Sequence, residues 1–582
     1  ERGGYDVRQN YPLVAGGAFD PREQTFNRFD NWYGDPEIKQ GTLFANFGAD
    51  LSNGAEMYGW ASYQKRDARS AGFYRRAQDS RNVIAIYADG FLPIIAPSVD
   101  DYSAAIGEKW RWGDWDMDTS VVYGYNKMHY TIENTLNASL GATSKTEFDA
   151  GGFDYDQLVF NFSGVRTVDV AGFASPLNVA TGIEARREGY SIFAGEPDSY
   201  INGDPTKASG SQVFPGFQPS DVLDENRSAV GAYVDLEANV TDQLLATAAV
   251  RGEHYSDFGS NVSGKLAVRY DFNDSFALRG SISNGFRAPS LQQQYFSATS
   301  TNFISGVPFD IKTFPVTDPR AAALGAEPLN AEKSLNLSVG MVWQIAAASI
   351  TLDAYRIKLK NRIVLSENLT QSEIRTYLEG LGYIGVSGGR FFLNGVDTKT
   401  NGVELVANWP METESAGLFK FTVAGSYNTT DVTKVPELSP ALATLFAPNP
   451  APPLFGRVNV LSYEKGQPKD KLTASVDWNL DRWGATVRAT RYGNVLVPGS
   501  TADRDFWLGT KTIVDLNVRY AFTDSIQLAV GADNLFDAYP PAFTAGRNGT
   551  VNLNSTGNTP FSGYTPYGFT GRFLYTRLSM DF

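Results

Sequence analysis

Gly571–Phe582 reads GRFLYTRLSMDF. Counted back from the end, Phe582, Met580, Leu578, Thr576 and Leu574 form one column, and Asp581, Ser579, Arg577 and Tyr575 form the other. A side-chain period of two is the period of a β-strand. The strand is apolar on one face and polar on the other along its whole length, and no polar tail follows it. The fold turns on what lies against each face.

The same alternation recurs along the chain. In LFANFGADL, Leu43, Ala45, Phe47, Ala49 and Leu51 oppose Asn46, Gly48 and Asp50, and an Asn53-Gly54 hairpin signal follows. Ala232, Val234, Leu236, Ala238 and Val240 oppose Tyr233, Asp235, Glu237 and Asn239. Leu335 to Trp343 and Leu472 to Leu480 repeat the pattern. Aromatic residues sit at segment ends: Trp343, Trp478, Trp483, Tyr520 and Phe522. Alternation over about ten residues with aromatic girdles marks a transmembrane β-barrel, with lipid outside and a polar lumen inside. A soluble sheet also exposes a polar face, so one such segment decides nothing, whereas nearly twenty of them favour the barrel.

Nineteen strands are expected, at 41–51, 56–66, 104–112, 116–130, 157–169, 175–191, 227–239, 243–255, 262–271, 275–287, 332–344, 348–363, 398–408, 417–430, 470–479, 483–494, 510–521, 525–535 and 571–582. Short turns alternate with mostly long connections at 67–103, 131–156, 192–226, 256–261, 288–331, 364–397, 431–469, 495–509 and 536–570. Outer-membrane barrels have short periplasmic turns and long outer loops, so the alternation assigns sidedness. The last strand descends to the periplasm, and so does the first. Two descending strands are not antiparallel neighbours. Nineteen strands therefore leave an odd number missing from an all-antiparallel closed barrel.

Composition agrees. The chain has 582 residues and no stretch near the ~18 apolar residues of a membrane helix. Absence of cysteine excludes disulfides, thiolate metal sites and a cysteine nucleophile, and suits an oxidising envelope. Lys plus Arg number 50 and Asp plus Glu 64, a net charge of −14, which disfavours a nucleic-acid partner. The chain starts at Glu1 without a signal peptide, as a processed, trimmed or partial chain does.

Several stretches resemble TonB-dependent outer-membrane receptors: SISNGFRAPSLQQQYF (Ser281–Phe296), TNGVEL (Thr400–Leu405), GQPKDK (Gly466–Lys471), GADNLFDAYPP (Gly531–Pro541) and the terminal Phe582. The resemblance covers the barrel from about residue 41 onward. It implies an all-β transmembrane antiparallel barrel, with about 19 of 22 strands in this chain. Residues 1–40 would be an outer loop segment and 41–582 the barrel, with an N-terminal plug and the first three strands missing. It also implies a plug-bearing fragment as partner, TonB reached through that fragment, and outer-membrane lipid around the wall. Phe582 resembles the assembly signal read by the barrel-assembly machinery.

No catalytic set, cofactor site or metal-ligand spacing surrounds His129 or His254, which fall near outer strand ends. Arg287 is the leading site candidate. In FALRGSISNGFRAP, Phe276, Leu278, Gly280 and Ile282 face lipid, so Arg279 and Arg287 face the lumen. A lumen arginine is able to pair bidentately with a plug carboxylate. The same reading covers Arg269, Glu404, Asp477, Arg488, Asp515 and Arg519, against the alternative of solvated lumen charge. Ligand-facing candidates are the loop aromatics Tyr295, Phe296, Phe303, Phe309, Phe314, Phe561, Tyr564, Tyr567 and Phe569, against internal loop packing. The expected function is TonB-coupled uptake of a scarce bulky ligand, with a ferric siderophore first and an oligosaccharide or cobalamin as other cargo. The rivals are a passive porin and a soluble all-β enzyme such as a glycan hydrolase.

Overall fold

The computed structural model describes residues 3–4, 32–304, 307–383, 388–542 and 561–581. Nineteen strands form the wall. They are β1 Glu37–Asp50, β2 Glu56–Ala71, β3 Ile94–Trp112, β4 Trp115–Glu133, β5 Phe148–Val168, β6 Leu177–Phe193, β7 Leu223–Thr241, β8 Leu244–Tyr255, β9 Gly259–Asn273 and β10 Phe276–Arg287. Then come β11 Glu332–Ile345, β12 Ala348–Leu365, β13 Gly388–Thr413, β14 Gly417–Lys434, β15 Asp470–Leu480, β16 Trp483–Tyr492, β17 Lys511–Thr523, β18 Ile526–Asp533 and β19 Phe573–Met580. Each pairs antiparallel with the next, and the sheet curls into a barrel.

The alternation reads out as two faces. On β9, Val262, Leu266 and Val268 are 65%, 60% and 52% exposed. Lys265 and Arg269, at the alternate positions, point inward, paired with Ser283 and Arg279. Directly paired residues share a face, so the assignment propagates from strand to strand. The short-turn ends carry the expected girdle. Trp483 packs on Tyr520 at 4.7 Å, Tyr270 on Phe272 at 4.8 Å and Trp409 on Phe421 at 5.5 Å.

Where β1 and β19 meet, no ladder joins them among the described residues. The two strands run in the same direction, as the alternation of turns and loops requires. All of β1 except Glu37, and all of β19 except Tyr575, is exposed. The barrel therefore has a seam bounded by two strand edges.

Strand limits differ from the sequence reading chiefly on the outer side. β3 starts at 94 rather than 104, and β13 spans 388–413 rather than 398–408. The ladder continues above the bilayer, where the outward face no longer meets lipid and the apolar alternation fades. Residues 37–40, assigned to a loop, belong to β1. The connection expected at 256–261 shrinks to 256–258.

Val339 is 59% exposed on the outward face, whereas its neighbour Ser338 points inward to Ser281, 2.7 Å away. Val339→Arg is expected to destabilise the barrel by about 2–4 kcal/mol, and Ser338→Arg by much less. Urea unfolding in micelles, followed by heat-modifiability on gels, checks this.

Candidate functional site in the lumen and outer cap

All eight lumen candidates face inward, and the wall itself supplies partners for most of them. Arg279 reaches across β11 to Asp353, with Nε to Oδ1 at 3.0 Å and Nη2 to Oδ2 at 2.6 Å. The residue between them is Gly340, where a Cβ would stand 1.9 Å from Asp353 Oδ1 and 3.1 Å from Arg279 Nε. A missing side chain thus makes room for the pair. Arg269 forks onto Asp271, Nη2 to Oδ1 at 2.7 Å. Arg519 Nη2 donates to both oxygens of Asp477 at 3.0 Å and to Asn479 Oδ1 at 2.7 Å. Asp477 also accepts from Thr486. Glu404 stands directly opposite Asp353, and Arg488 opposite Asp515. Asp515 accepts the Asn534 N–H at 2.9 Å. Arg287 is 62% exposed, 3.8 Å from Glu332. Arg287, Arg488, Glu404 and Asp515 are thus the candidates without a short ion pair in the wall among the described residues.

Above the wall, the GFRAPS stretch is latched by a network that the sequence did not reveal. Ser290 and Gln293 form a reciprocal capping box that starts the short helix Leu291–Tyr295. Arg227, 5% exposed, pairs with Glu188 at 2.5 Å and donates to the Pro289 carbonyl at 2.5 Å. Tyr155 also donates to Glu188. Gln294 donates to Asp257 at 2.7 Å, and Asp257 lies 3.5 Å from Arg227. The three charges come from three separate segments, and Tyr155 and Gln294 join them from two more, so no local spacing signals them. A buried pair of this kind is specified by its hydrogen bonds, and loss of one partner is costly.

The outer connections form a cap with its own core. Phe314, Leu324, Leu369, Ile374, Phe391 and Leu442 are buried together, drawn from the connections after β10, β12 and β14 and from the outer end of β13. The hairpin of strands Ala298–Ile304 and Val307–Phe314 joins β13 by parallel pairing from Ile311↔Gly388 to Phe314↔Phe391. This changes the reading of the loop aromatics. Phe314 is 1% exposed, with Arg320 over its ring at 4.6 Å, so it packs the cap and presents no ligand face. Tyr295 and Phe296 pack against a second cluster around Tyr190, Phe217 and Leu291. Tyr564 shares a hydrogen bond with Ser462 at 2.7 Å, Tyr567 packs on Tyr492 at 5.7 Å, and Phe561 stacks on Tyr539 at 5.7 Å. Phe569 also has contacts of its own. The side chains of Phe303 and Phe309, and the terminal Phe582, lie outside the described residues. His129 contacts Asp149 and His254 contacts Ser260, each at 2.9 Å, and both are rim contacts. No group of metal-ligating side chains occurs among the described residues.

A family model described as TonB dependent receptor-like, beta-barrel matches residues 4–535, and the chain belongs to that family. Members are receptors of the Gram-negative outer membrane rather than a class of enzymes, and this barrel is an outer-membrane protein. By sequence the chain is 29% identical over 143 residues to the siderophore receptor PirA of Acinetobacter baumannii, covering 24% of this chain and 18% of that protein. It is 25% identical over 311 residues to the iron-regulated outer membrane virulence protein of Vibrio cholerae, covering 52% and 40%. The match therefore spans less than half the length of either relative. Among solved structures, Acinetobacter PirA superposes with a TM-score of 0.62 at 16% identity, over 94% of this chain and 72% of that one. The ferric enterobactin receptor PfeA of Pseudomonas aeruginosa gives 0.61 at 14%, over 94% and 70%.

Two outcomes follow from these contacts. Gly340→Ala and Asp353→Asn each disturb the same pair, so their destabilisations, about 1 kcal/mol at this exposure, are expected to be less than additive in the double variant, measured by urea unfolding. In the cap, the Arg457 guanidinium beside Asp505, 2.7 Å away, holds that carboxyl below its usual range. A depressed folded-state pKa contributes stability that is present above the unfolded carboxylate value and lost as pH falls through the folded one. Hydrogen exchange around 457–465 and 499–505 is expected to quicken below about pH 4, and Asp505→Asn is expected to remove that pH dependence.

Proposed function

We propose that this chain is the barrel of an active importer that takes a ferric siderophore across the outer membrane with energy coupled through TonB. Membership of the TonB-dependent receptor family carries the reading. The names of its relatives support the cargo: PirA is a siderophore receptor, PfeA a ferric enterobactin receptor and FpvA a pyoverdine receptor. The barrel seam supports a further part. We infer that an odd number of additional strands, three on the family pattern, fills the gap between β1 and β19 and brings a plug into the lumen. Unpaired backbone groups in lipid cost several kcal/mol each, so two free edges call for such a partner. Arg287 and Arg488 would meet the plug, and TonB would act through it. The barrel-assembly machinery would read the last strand. Oligosaccharide or cobalamin uptake differs only in cargo. Passive diffusion is the second reading, favoured by the wall charges that neutralise one another.

Uptake of radiolabelled iron by iron-starved cells, complexed to a panel of siderophores, tests the proposal. The expected result is uptake for one class that disappears when TonB is deleted or the proton gradient is collapsed. Uptake unaffected by TonB, with solute flux through liposomes, would establish the passive pore.

A further inference from the structure

The outward face of the barrel carries a cluster of cations at the upper edge of its apolar band. Leu335 and Leu337 on β11 are 39% and 40% exposed to the outside. Their direct partners on β12 are Lys358 and Arg356, and Lys333 is opposite Lys360. On the next strand Lys399 is opposite Lys358. Five cations thus share one outward patch on three adjacent strands. Lys333, Arg356, Lys358 and Lys360 are exposed, while Ile357 and Leu359 between them face the lumen side.

Like charges directly opposite one another destabilise a sheet, and here two such pairs adjoin. Little on the protein offsets them. Asp431 lies 4.0 Å from Lys399, and Asp397 is occupied by the Asn361 N–H. Arg356 donates to the neutral Asn401 at 2.7 Å. Lys333, Lys358 and Lys360 form no ion pair among the described residues. Other outward cations stand singly or are matched: Lys65 pairs with Asp100 at 2.9 Å and Arg69 with Glu133 at 2.5 Å, and Arg187 faces the neutral Leu158 and Ser228. The chain as a whole is acidic, at −14, so composition does not explain the concentration.

Below the cations the same face is apolar, with Val339 at 59% and Val403 at 44% exposure. Clustered basic residues at a membrane boundary attract anionic headgroups. We propose that this patch binds a phosphorylated lipid of the outer leaflet. The phosphates sit among Lys333, Lys358, Lys360 and Lys399, and the acyl chains run down over Leu335, Leu337 and Val339. The anion removes the cross-strand repulsion, so the lipid is part of the folded wall at this point.

Native mass spectrometry of the full-length protein in detergent tests the site, with bisphosphorylated lipid A as probe. Wild type is expected to retain it about tenfold better than phosphate-free lipid A of the same acylation, as loss of contacts to several cations requires. Lys333→Gln, Lys358→Gln and Lys360→Gln combined are expected to abolish that preference, while Lys65→Gln leaves it intact. Equal retention of the two lipids by wild type would overturn the proposal, and this comparison stands if the triple variant fails to fold. So would an unchanged preference in the folded triple variant. Displacement by millimolar inorganic phosphate would show a free-anion site instead and would also overturn it.

Discussion

Backbone pairing in a medium without water governs this structure. Inside a bilayer each N–H and C=O must find a partner within the protein, because an unsatisfied group costs several kcal/mol. A curled antiparallel sheet meets that demand through its ladders, and every strand from β2 to β18 has a neighbour on both sides. From that arrangement follow the two-residue alternation, the strand lengths and the rim of aromatics. It also locates the weakness of the barrel. At β1 and β19 one edge each lacks a ladder among the described residues, and both strands are exposed along nearly their full length.

With lipid outside, charge is confined inward or to the rim, and the wall handles it locally. Arg279 and Asp353 meet over the empty place left by Gly340. The Tyr355 and Tyr575 rings lie over Gly402 and Gly531 in the same manner. Small residues on the lumen face therefore let long or planar side chains lie flat against the wall. On the outer side, water returns and the chain builds an ordinary buried core from loop segments around Phe314, Leu369 and Phe391. The cap and the wall are held together by Arg227, whose contacts tie two strands to the segment that opens the longest described outer connection.

The face of each wall residue was legible because it depends only on odd or even position, a local property that lipid enforces at every turn. Leu578 and Leu574 face out, and Arg269, Arg519 and Asp477 face in, as alternation requires. The partners of those charges were not legible. Asp353 lies 74 residues from Arg279, and the register that brings them together is set through an intervening strand. The choice between a ligand face and loop packing was not legible in the loop aromatics for a related reason. A phenylalanine in a polar loop looks the same in sequence whether it faces a ligand or, like Phe314, a core assembled from three distant connections.

The sequence by itself determined the barrel, its sidedness, the strand count and the parity that leaves β1 and β19 running the same way, since each follows from period and turn length. Tertiary structure alone decided which charges neutralise each other, which rings build the cap, and where Lys333, Lys358, Lys360 and Lys399 gather on the outer rim. Those outcomes depend on strand register, and register joins residues that have no relation along the chain.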